Sequence, residues 1–82
     1  MADSLTIMGI LVDHRGKHAP EVQEVITRHG SDILCRMGVP SPSKEQGLIT
    51  LVFEGDLASV QDFRRELEAI AGVDVQSMSF SK

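Results

Sequence analysis

The sequence predicts an α+β fold in which four antiparallel strands form one sheet and two helices pack on one of its faces. Strand-like apolar runs and helix-like apolar periodicity follow one another in the order strand, helix, strand, strand, helix, strand. Glycine, proline and polar clusters separate these segments. This order is typical of the ferredoxin-like βαββαβ fold, in which both crossovers are expected to be right-handed.

The first half of the chain predicts a strand, a helix and a second strand. Leu5–Val12 is an almost continuous apolar run and predicts a buried strand. Pro20 suits the first turn of a helix, and Gly30 is a suitable residue to end it. Ile33–Val39 predicts the second strand, and the polar, proline-rich segment 40–46 predicts a loop.

The second half repeats the pattern with a strand, a helix and a strand. The third strand is predicted over Leu48–Glu54, and Asp56 is a suitable cap for the second helix. The inner face of that helix is expected to consist of Val60, Phe63, Leu67 and Ile70. Gly72 is expected to end the helix, and Val73–Phe80 predicts the fourth strand. Because the first and third strands are the most apolar, we expect them in the centre of the sheet.

Length and composition predict a single small domain over residues 1–82. The chain has 82 residues, of which 41% are apolar, so it can build one core. Its net charge is −4, its eight basic residues are scattered, and it has no Trp or Tyr. Direct binding to nucleic acid is therefore not expected, because that requires clustered positive charge or aromatic platforms.

The chain also has no features of a membrane or secreted protein. It has no apolar run of about 18 residues that could span a bilayer. Asp3 lies where a secretory signal would carry positive charge. The single cysteine, Cys35, cannot form an internal disulfide. We therefore expect a cytoplasmic protein with no membrane partner.

The first strand is apolar on both of its faces, which predicts self-association. Leu5, Ile7 and Leu11 share one face, whereas Met8, Ile10 and Val12 share the other. Two helices on one side of the sheet can cover only one of these sets. We expect a second copy of the chain to cover the other, giving a dimer or tetramer. The alternative is a twisted sheet that leaves a few apolar side chains exposed.

Short motifs along the chain resemble a known family. They are residues 35–40 (CRMGVP) and 47–55 (GLITLVFEG), together with residues 8–12, 22–26 and 72–75. They resemble the small proteins proposed as regulators of the iron-only hydrogenase system, which have an ACT-like, ferredoxin-type fold. The sensor domain of the nickel-responsive repressor shares this fold. The resemblance implies a regulatory role in hydrogenase expression or maturation, and it indicates no catalytic residue. If the protein regulates transcription, its charge and lack of aromatic platforms predict that it does so through another chain.

The loop expected between the first strand and the first helix is the best candidate for a ligand site. It joins the carboxyl end of a central strand to a helix N-terminus, where free N–H groups favour an anion. The candidate ligand-binding residues of this loop are Asp13, Arg15, Gly16, Lys17 and His18. The resemblance to ACT domains implies that amino acids or related small ligands bind there with help from a neighbouring subunit. The alternative is a polar loop that is only solvated.

Arg36 is a further candidate on the second strand. Its guanidinium suits either a ligand carboxylate or an acidic neighbour across a subunit contact.

Metal binding and catalysis are not expected. His14 and His18 flank two basic residues, and His29 is expected at a helix end. Cys35 alternates with Ile33 and is expected to be a small core residue. No nucleophile and base or paired carboxylates stand at a typical catalytic spacing. The sequence therefore predicts no metal, no cofactor and no enzymatic activity.

Two functions remain open at this point. One is an oligomeric, ligand-sensing regulatory module; the other is an adaptor that uses the same sheet for protein contacts and binds no small molecule. A metal-sensing domain is a third, weaker alternative.

Overall fold

The computed structural model describes residues 4–13, 15–40 and 46–81; for residues 15–18, 40 and 81 it describes the backbone alone. It contains four strands, two α-helices and one turn of 3-10 helix. The elements are β1 (Ser4–Val12), α1 (Arg15–Arg28), the 3-10 turn (Gly30–Asp32), β2 (Ile33–Pro40), β3 (Gly47–Gly55), α2 (Leu57–Glu68) and β4 (Val73–Ser81).

The strands form one antiparallel sheet in the order β2-β3-β1-β4. The predicted ferredoxin-like fold is confirmed, with β1 and β3 in the centre and β2 and β4 at the edges. The register places Ile10 of β1 between Ile49 of β3 and Val75 of β4. Ile7 likewise lies between Val52 and Met78 on the opposite face.

The core lies between the sheet and the two helices. Burial alternates along β1, so its even-numbered residues face the helices and its odd-numbered residues face away. Among the largest fully buried side chains are Met8, Ile10, Ile26, Leu51, Phe53, Phe63 and Leu67. Phe53 and Phe63 stack with ring centroids 5.2 Å apart, which joins β3 directly to α2.

Helix α1 begins earlier than the sequence predicted. It starts at Arg15 and includes Pro20 in its interior, so residues 15–18, which were predicted to lie in the loop after the first strand, are helical instead. The prediction relied on proline in a first helical turn. Here Pro20 is the sixth helical residue, and the helix continues although Pro20 cannot donate the N–H bond to the carbonyl of Gly16. Glu21 and Glu24 consequently lie beyond the first turn.

The predicted end of α1 also differs. The helix ends at Arg28, and Gly30 begins a 3-10 turn instead of adopting a left-handed conformation. Gly72 is the positive-φ glycine in the described part of the chain, with φ of 80°, and it leads into β4. This backbone region favours glycine because other residues have a Cβ that clashes there.

A β-bulge near the start of β2 corrects the predicted position of Cys35. Ile33 pairs with Phe53, and Cys35 pairs with Val52, which is adjacent to Phe53 in β3. Leu34 is therefore the extra residue on β2. The extra residue reverses the alternation, so Ile33 faces the helices and Cys35 faces away from them. The thiol is exposed. The prediction of a core cysteine is therefore wrong because it assumed a regular strand.

Helix α2 is capped as the sequence predicted. The side chain of Asp56 accepts a hydrogen bond of 2.8 Å from the backbone N–H of Ser59. Hydrogen bonds from Ser59 hold the pKa of Asp56 below its ordinary value, because they stabilise the ionised carboxylate. The buried residues Val60, Phe63 and Leu67 form the inner face of the helix. Ile70 is also buried, although it follows the end of the helix.

We expect Ile10→Asp to unfold the protein or to lower its free energy of unfolding by at least about 4 kcal/mol, because it buries an unpaired carboxylate. Ile10 is 0% exposed in the chain by itself, so this loss does not require any partner. Urea denaturation followed by circular dichroism measures it. Gln61→Asp, at an exposed site on α2, is the control and is expected to change stability by less than about 1 kcal/mol.

The cap at Asp56 predicts a dependence of stability on pH. Because the pKa is lowered in the folded state, the ionised cap stabilises the fold above the unfolded-state pKa and loses this effect as the pH falls through the folded-state pKa. Asn also caps helices but does not titrate. The melting temperature of the natural protein minus that of Asp56→Asn should therefore decrease on acidification. A constant difference across this pH range would contradict the assigned role of the carboxylate.

Candidate functional site

The predicted ligand residues begin at Asp13, which immediately follows β1. Its backbone N–H donates a hydrogen bond of 2.8 Å to the carbonyl of Gly72, before β4. Its carboxylate accepts a hydrogen bond of 2.9 Å from Nε2 of Gln46, before β3. Asp13 thus connects the ends of neighbouring elements, and one carboxylate oxygen already has a partner.

Arg15, Gly16, Lys17 and His18 are the first four residues of α1. The backbone N–H groups of the first three of these residues have no acceptor within an α-helix, since such bonds need a carbonyl four residues earlier in the same helix or at its N-cap. The helical backbone removes the predicted glycine turn at Gly16, but it places a helix N-terminus at the same location. Their side chains are not part of the description. The predicted anion site at these residues stays a prediction.

Arg36 lies on the side of β2 that faces the helices. Its Nη2 donates a hydrogen bond to Oε1 of Gln23 on α1. Gln23 follows Arg15 by eight residues, which is about 12 Å along a helix. The structure therefore does not bring Arg36 together with the start of α1. The candidate residues therefore lie in two separate places: residues 15–18 begin α1, whereas Arg36 of β2 contacts the same helix further along, at Gln23.

A cleft that was not predicted from the sequence lies beside α1, between the start of the helix and Gln23. We call it the α1–β2 cleft; it has a volume of about 250 Å³. It is lined by Val12, Ala19, Gln23, Gly38, Val39, Gly47, Leu48 and Ile49. The residues come from β1, α1, β2 and β3, so four elements enclose it. Among the lining residues that the structure describes, Gln23 is the one with a polar side chain.

Gly38 contributes to the openness of this cleft. It faces the helices opposite Ile49, and a Cβ built on it would meet no atom within 4 Å. A larger residue here would extend into the space beside α1. Gly38 belongs to the CRMGVP motif of the sequence analysis, but the motif alone does not indicate a cleft.

The second candidate surface is the side of the sheet opposite the helices, which we call the open face. Its central rows pair Ile7 with Val52 and Met78, and Leu11 with Leu48. The apolar residues of the open face are Leu5, Ile7, Leu11, Cys35, Met37, Val39, Leu48, Val52, Met78 and Phe80. Met37 and Met78 are 62% and 56% exposed. Because these exposed apolar residues are contiguous on one face of the sheet, the surface is a candidate for protein contact.

The open face has its carboxylates at its margins. Glu54 lies at one end of β3, and Asp74 lies at the opposite end of β4. Between them, a row that contains Thr50, Gly9 and Gln76 is uncharged. The centre of the face therefore offers apolar contact and hydrogen bonding without charge.

The two sheet edges differ in protection. Arg64 of α2 donates hydrogen bonds to the carbonyl of Val75, at 3.1 Å, and to the hydroxyl of Ser77, at 2.8 Å, on β4. On β2, the exposed residues Leu34 and Met37 are apolar, and the side chain of Arg36 turns towards α1. The β2 edge is protected in another way, because it has a bulge near its start and Pro40 at its end, and both features disfavour pairing with another strand.

A polar cluster joins the ends of α1 and α2. Glu66 accepts hydrogen bonds from Arg28, at 2.9 Å, and lies 3.2 Å from Nε2 of His29. The His29 ring also lies 4.8 Å from that of Phe63. Glu66 thus connects the two helices.

The described part of the chain contains no group of three or more His, Cys, Asp or Glu residues able to hold a metal. His29 contacts α2, and Cys35 lies on the open face, so these two are apart. His14 lies outside the described residues, and the side chain of His18 is not described. No helix in the described segments is long and apolar enough to span a bilayer.

Comparison with solved structures defines the class of fold. CPII, a nitrogen regulatory PII-like protein from Thiomonas intermedia K12 bound to ADP, AMP and bicarbonate, has a TM-score of 0.53 at 19% identity; the match covers 96% of this chain and 92% of CPII. A formyltetrahydrofolate deformylase from Pseudomonas putida KT2440 has a TM-score of 0.57 at 11% identity; the match covers 92% of this chain and 28% of the deformylase. Both proteins share this fold over the matched residues. The class of fold is therefore ferredoxin-like.

The uncharacterized protein TM1266 from Thermotoga maritima is much more similar. It has a TM-score of 0.90 at 28% identity, and the match covers 95% of this chain and 98% of TM1266. The model of the TM1266-like family, described as a proposed iron-only hydrogenase system regulator, matches residues 4–77. The chain belongs to this family, which confirms the resemblance seen in the sequence. No curated protein matches the chain.

Proposed function

We propose that this protein is a non-enzymatic regulatory module of the iron-only hydrogenase system that acts as a homo-oligomer and senses a small anionic ligand. Membership of the TM1266-like family supports the regulatory role. The open face is the single observation that supports action through protein contact. A second copy of the chain is the occupant that we propose for it.

The chemistry of the open face favours another open face. Its centre carries no charge that a different partner would have to complement. An isologous dimer places the same patch on both sides of the contact, so apolar residues meet apolar residues. Ile7 and Met78 are exposed in one chain by 37% and 56%, and covering them would remove apolar surface from water.

Small-ligand sensing is supported by two features near α1. One is the set of N–H groups at its start, and the other is the α1–β2 cleft. CPII binds ADP, AMP and bicarbonate, so a protein with this fold can hold small ligands. Regulation of transcription would require another chain, since the net charge of −4 opposes direct contact with DNA.

An adaptor without a ligand is the second candidate. The position of α1 favours it, because the helix begins at Arg15 and leaves no glycine loop that could wrap around a ligand. Both candidates use the open face. They differ in whether a small molecule binds.

One prediction of the proposed function concerns assembly. Ile7→Lys should convert the oligomer to a chain of 9.0 kDa, because it places a charge in the centre of the open face. Sedimentation equilibrium at micromolar concentration measures the mass. The substitution should lower the free energy of unfolding of the single chain only slightly, because Ile7 is partly exposed.

Gln61→Lys is the matched control, with the same charge added to an exposed position of α2. It should leave the oligomer unchanged. A natural protein that sediments at 9.0 kDa would refute the proposed assembly. An Ile7→Lys variant with the natural oligomeric mass would exclude the open face as its interface.

The second prediction separates sensing from a simple adaptor role. Native mass spectrometry of protein purified from its source should show a retained small molecule, or thermal shift should identify an amino acid or metabolite anion that stabilises the protein. A ligand at a hundredfold excess over its dissociation constant adds about 2.7 kcal/mol to the free energy of unfolding. Bare chains in the mass spectrum, together with no stabilising anion, would favour the adaptor.

A further inference from the structure

The α1–β2 cleft has the size of a small organic molecule. An apolar cavity of about 150 Å³ holds one benzene, so about 250 Å³ corresponds to about ten non-hydrogen atoms. A nucleotide is larger than this and could not be enclosed. Apart from Gln23, the lining residues that the structure describes have no polar side chain, so the part of a ligand that contacts them must be largely hydrocarbon.

A cation stands beside this apolar cleft. Arg36 and Gly38 lie on the same side of β2, about 7 Å apart along the strand. Arg36 also donates to Gln23, which lines the cleft. Within the described segments, Arg36 makes no ion pair with a carboxylate. A guanidinium that is held only by a neutral amide can exchange that partner for a carboxylate and gain a charge-assisted hydrogen bond.

We infer that the α1–β2 cleft binds a short aliphatic monocarboxylate, whose chain lies between Ala19 and Ile49 and whose carboxylate pairs with Arg36. This deepens the ligand-sensing part of the proposed function and rests on it. It places the ligand beside β2, and not at the first four residues of α1. Arg36 is the residue that determines specificity for an acid, and Gly38 provides the space.

The lining also selects against an α-amino acid. None of the eight described lining residues is acidic, so none of them offers a counter-charge to an ammonium group next to the carboxylate. Bringing that group out of water without a partner is costly. The cleft should therefore prefer a plain carboxylic acid to the amino acid with the same carbon skeleton.

Three probes that share one skeleton test this. They are 4-methylpentanoate, leucine, which is the same acid with an α-ammonium group, and 4-methylpentan-1-ol, which lacks the carboxylate. Acetate is a fourth probe, with a carboxylate but no chain. Binding is measured by titration calorimetry, and chemical-shift changes of the Val12 and Ile49 methyl groups locate it. We expect 4-methylpentanoate to bind at least tenfold more tightly than each of the other three.

Variants then separate charge from space. Arg36→Gln should weaken 4-methylpentanoate at least tenfold and leave the alcohol unchanged. Gly38→Val should abolish binding of both, since its side chain enters the cleft, and valine is well suited to a strand. Arg28→Gln removes a cation that is paired with Glu66 away from the cleft, so it should bind the acid like the natural protein.

The outcomes distinguish this inference from the proposed function. If the natural protein remains oligomeric but none of the probes shifts Val12 or Ile49, the cleft is not the ligand site, whereas a regulatory oligomer remains. If Arg36→Gln and Arg28→Gln weaken the acid equally, the effect is one of general charge and Arg36 has no special role. If leucine binds as tightly as 4-methylpentanoate, the proposed ligand class is wrong.

Discussion

The central strands of this protein are apolar on both faces, and the two helices can cover only one. Along β1, Met8 and Ile10 are fully buried by the helices, while Ile7 and Leu11 remain more than one third exposed on the other side. The same division continues in β3, where Leu51 is buried and Leu48 is exposed. A chain of 82 residues has little other core. The open face is therefore where we propose that the protein meets its partners.

The bulge in β2 contributes to both candidate surfaces. Without the extra residue near Leu34, the alternation of β2 would turn Cys35 and Met37 towards the helices and Arg36 towards the open face. With it, Met37 extends the apolar surface, and Arg36 reaches Gln23 on α1. The open face therefore contains no cation from β2, and the α1–β2 cleft has one beside it.

The sequence was sufficient for the fold because its signals are periodic. The apolar runs predict the four strands, and the helical spacing of Phe63 and Leu67 predicts the inner face of α2, as the structure has it. Strand β1 is apolar on both faces, so its sequence does not tell which face the helices cover. Two local features were missed for definite reasons. Proline at position 20 suggested a helix start, but the helix begins five residues earlier, at Arg15, and contains Pro20 in its interior. A bulge leaves no periodic signal, so the orientation of Cys35 could not be predicted.

The candidate site was predictable only in part, because a cleft depends on how elements pack. Arg36 was identified from its residue type, but its neighbour is set by where α1 crosses the sheet. Gln23 and Gly38 have no distinctive chemistry in the sequence. They become significant only when the structure places one opposite a guanidinium and the other beside open space.

The cleft and the open face are separated by a single layer of sheet. Gly38 and Ile49 lie on the cleft side of β2 and β3, and their chain neighbours Val39 and Leu48 lie on the open face. A ligand that moves this part of the hairpin must therefore also move residues of the proposed dimer contact. Such a ligand changes assembly only as far as it binds the two assembly states with different affinities. By the same linkage, assembly would change the affinity for the ligand by the same factor by which the ligand changes the assembly equilibrium. This reciprocal coupling is the physical requirement for a regulator built from one small sheet.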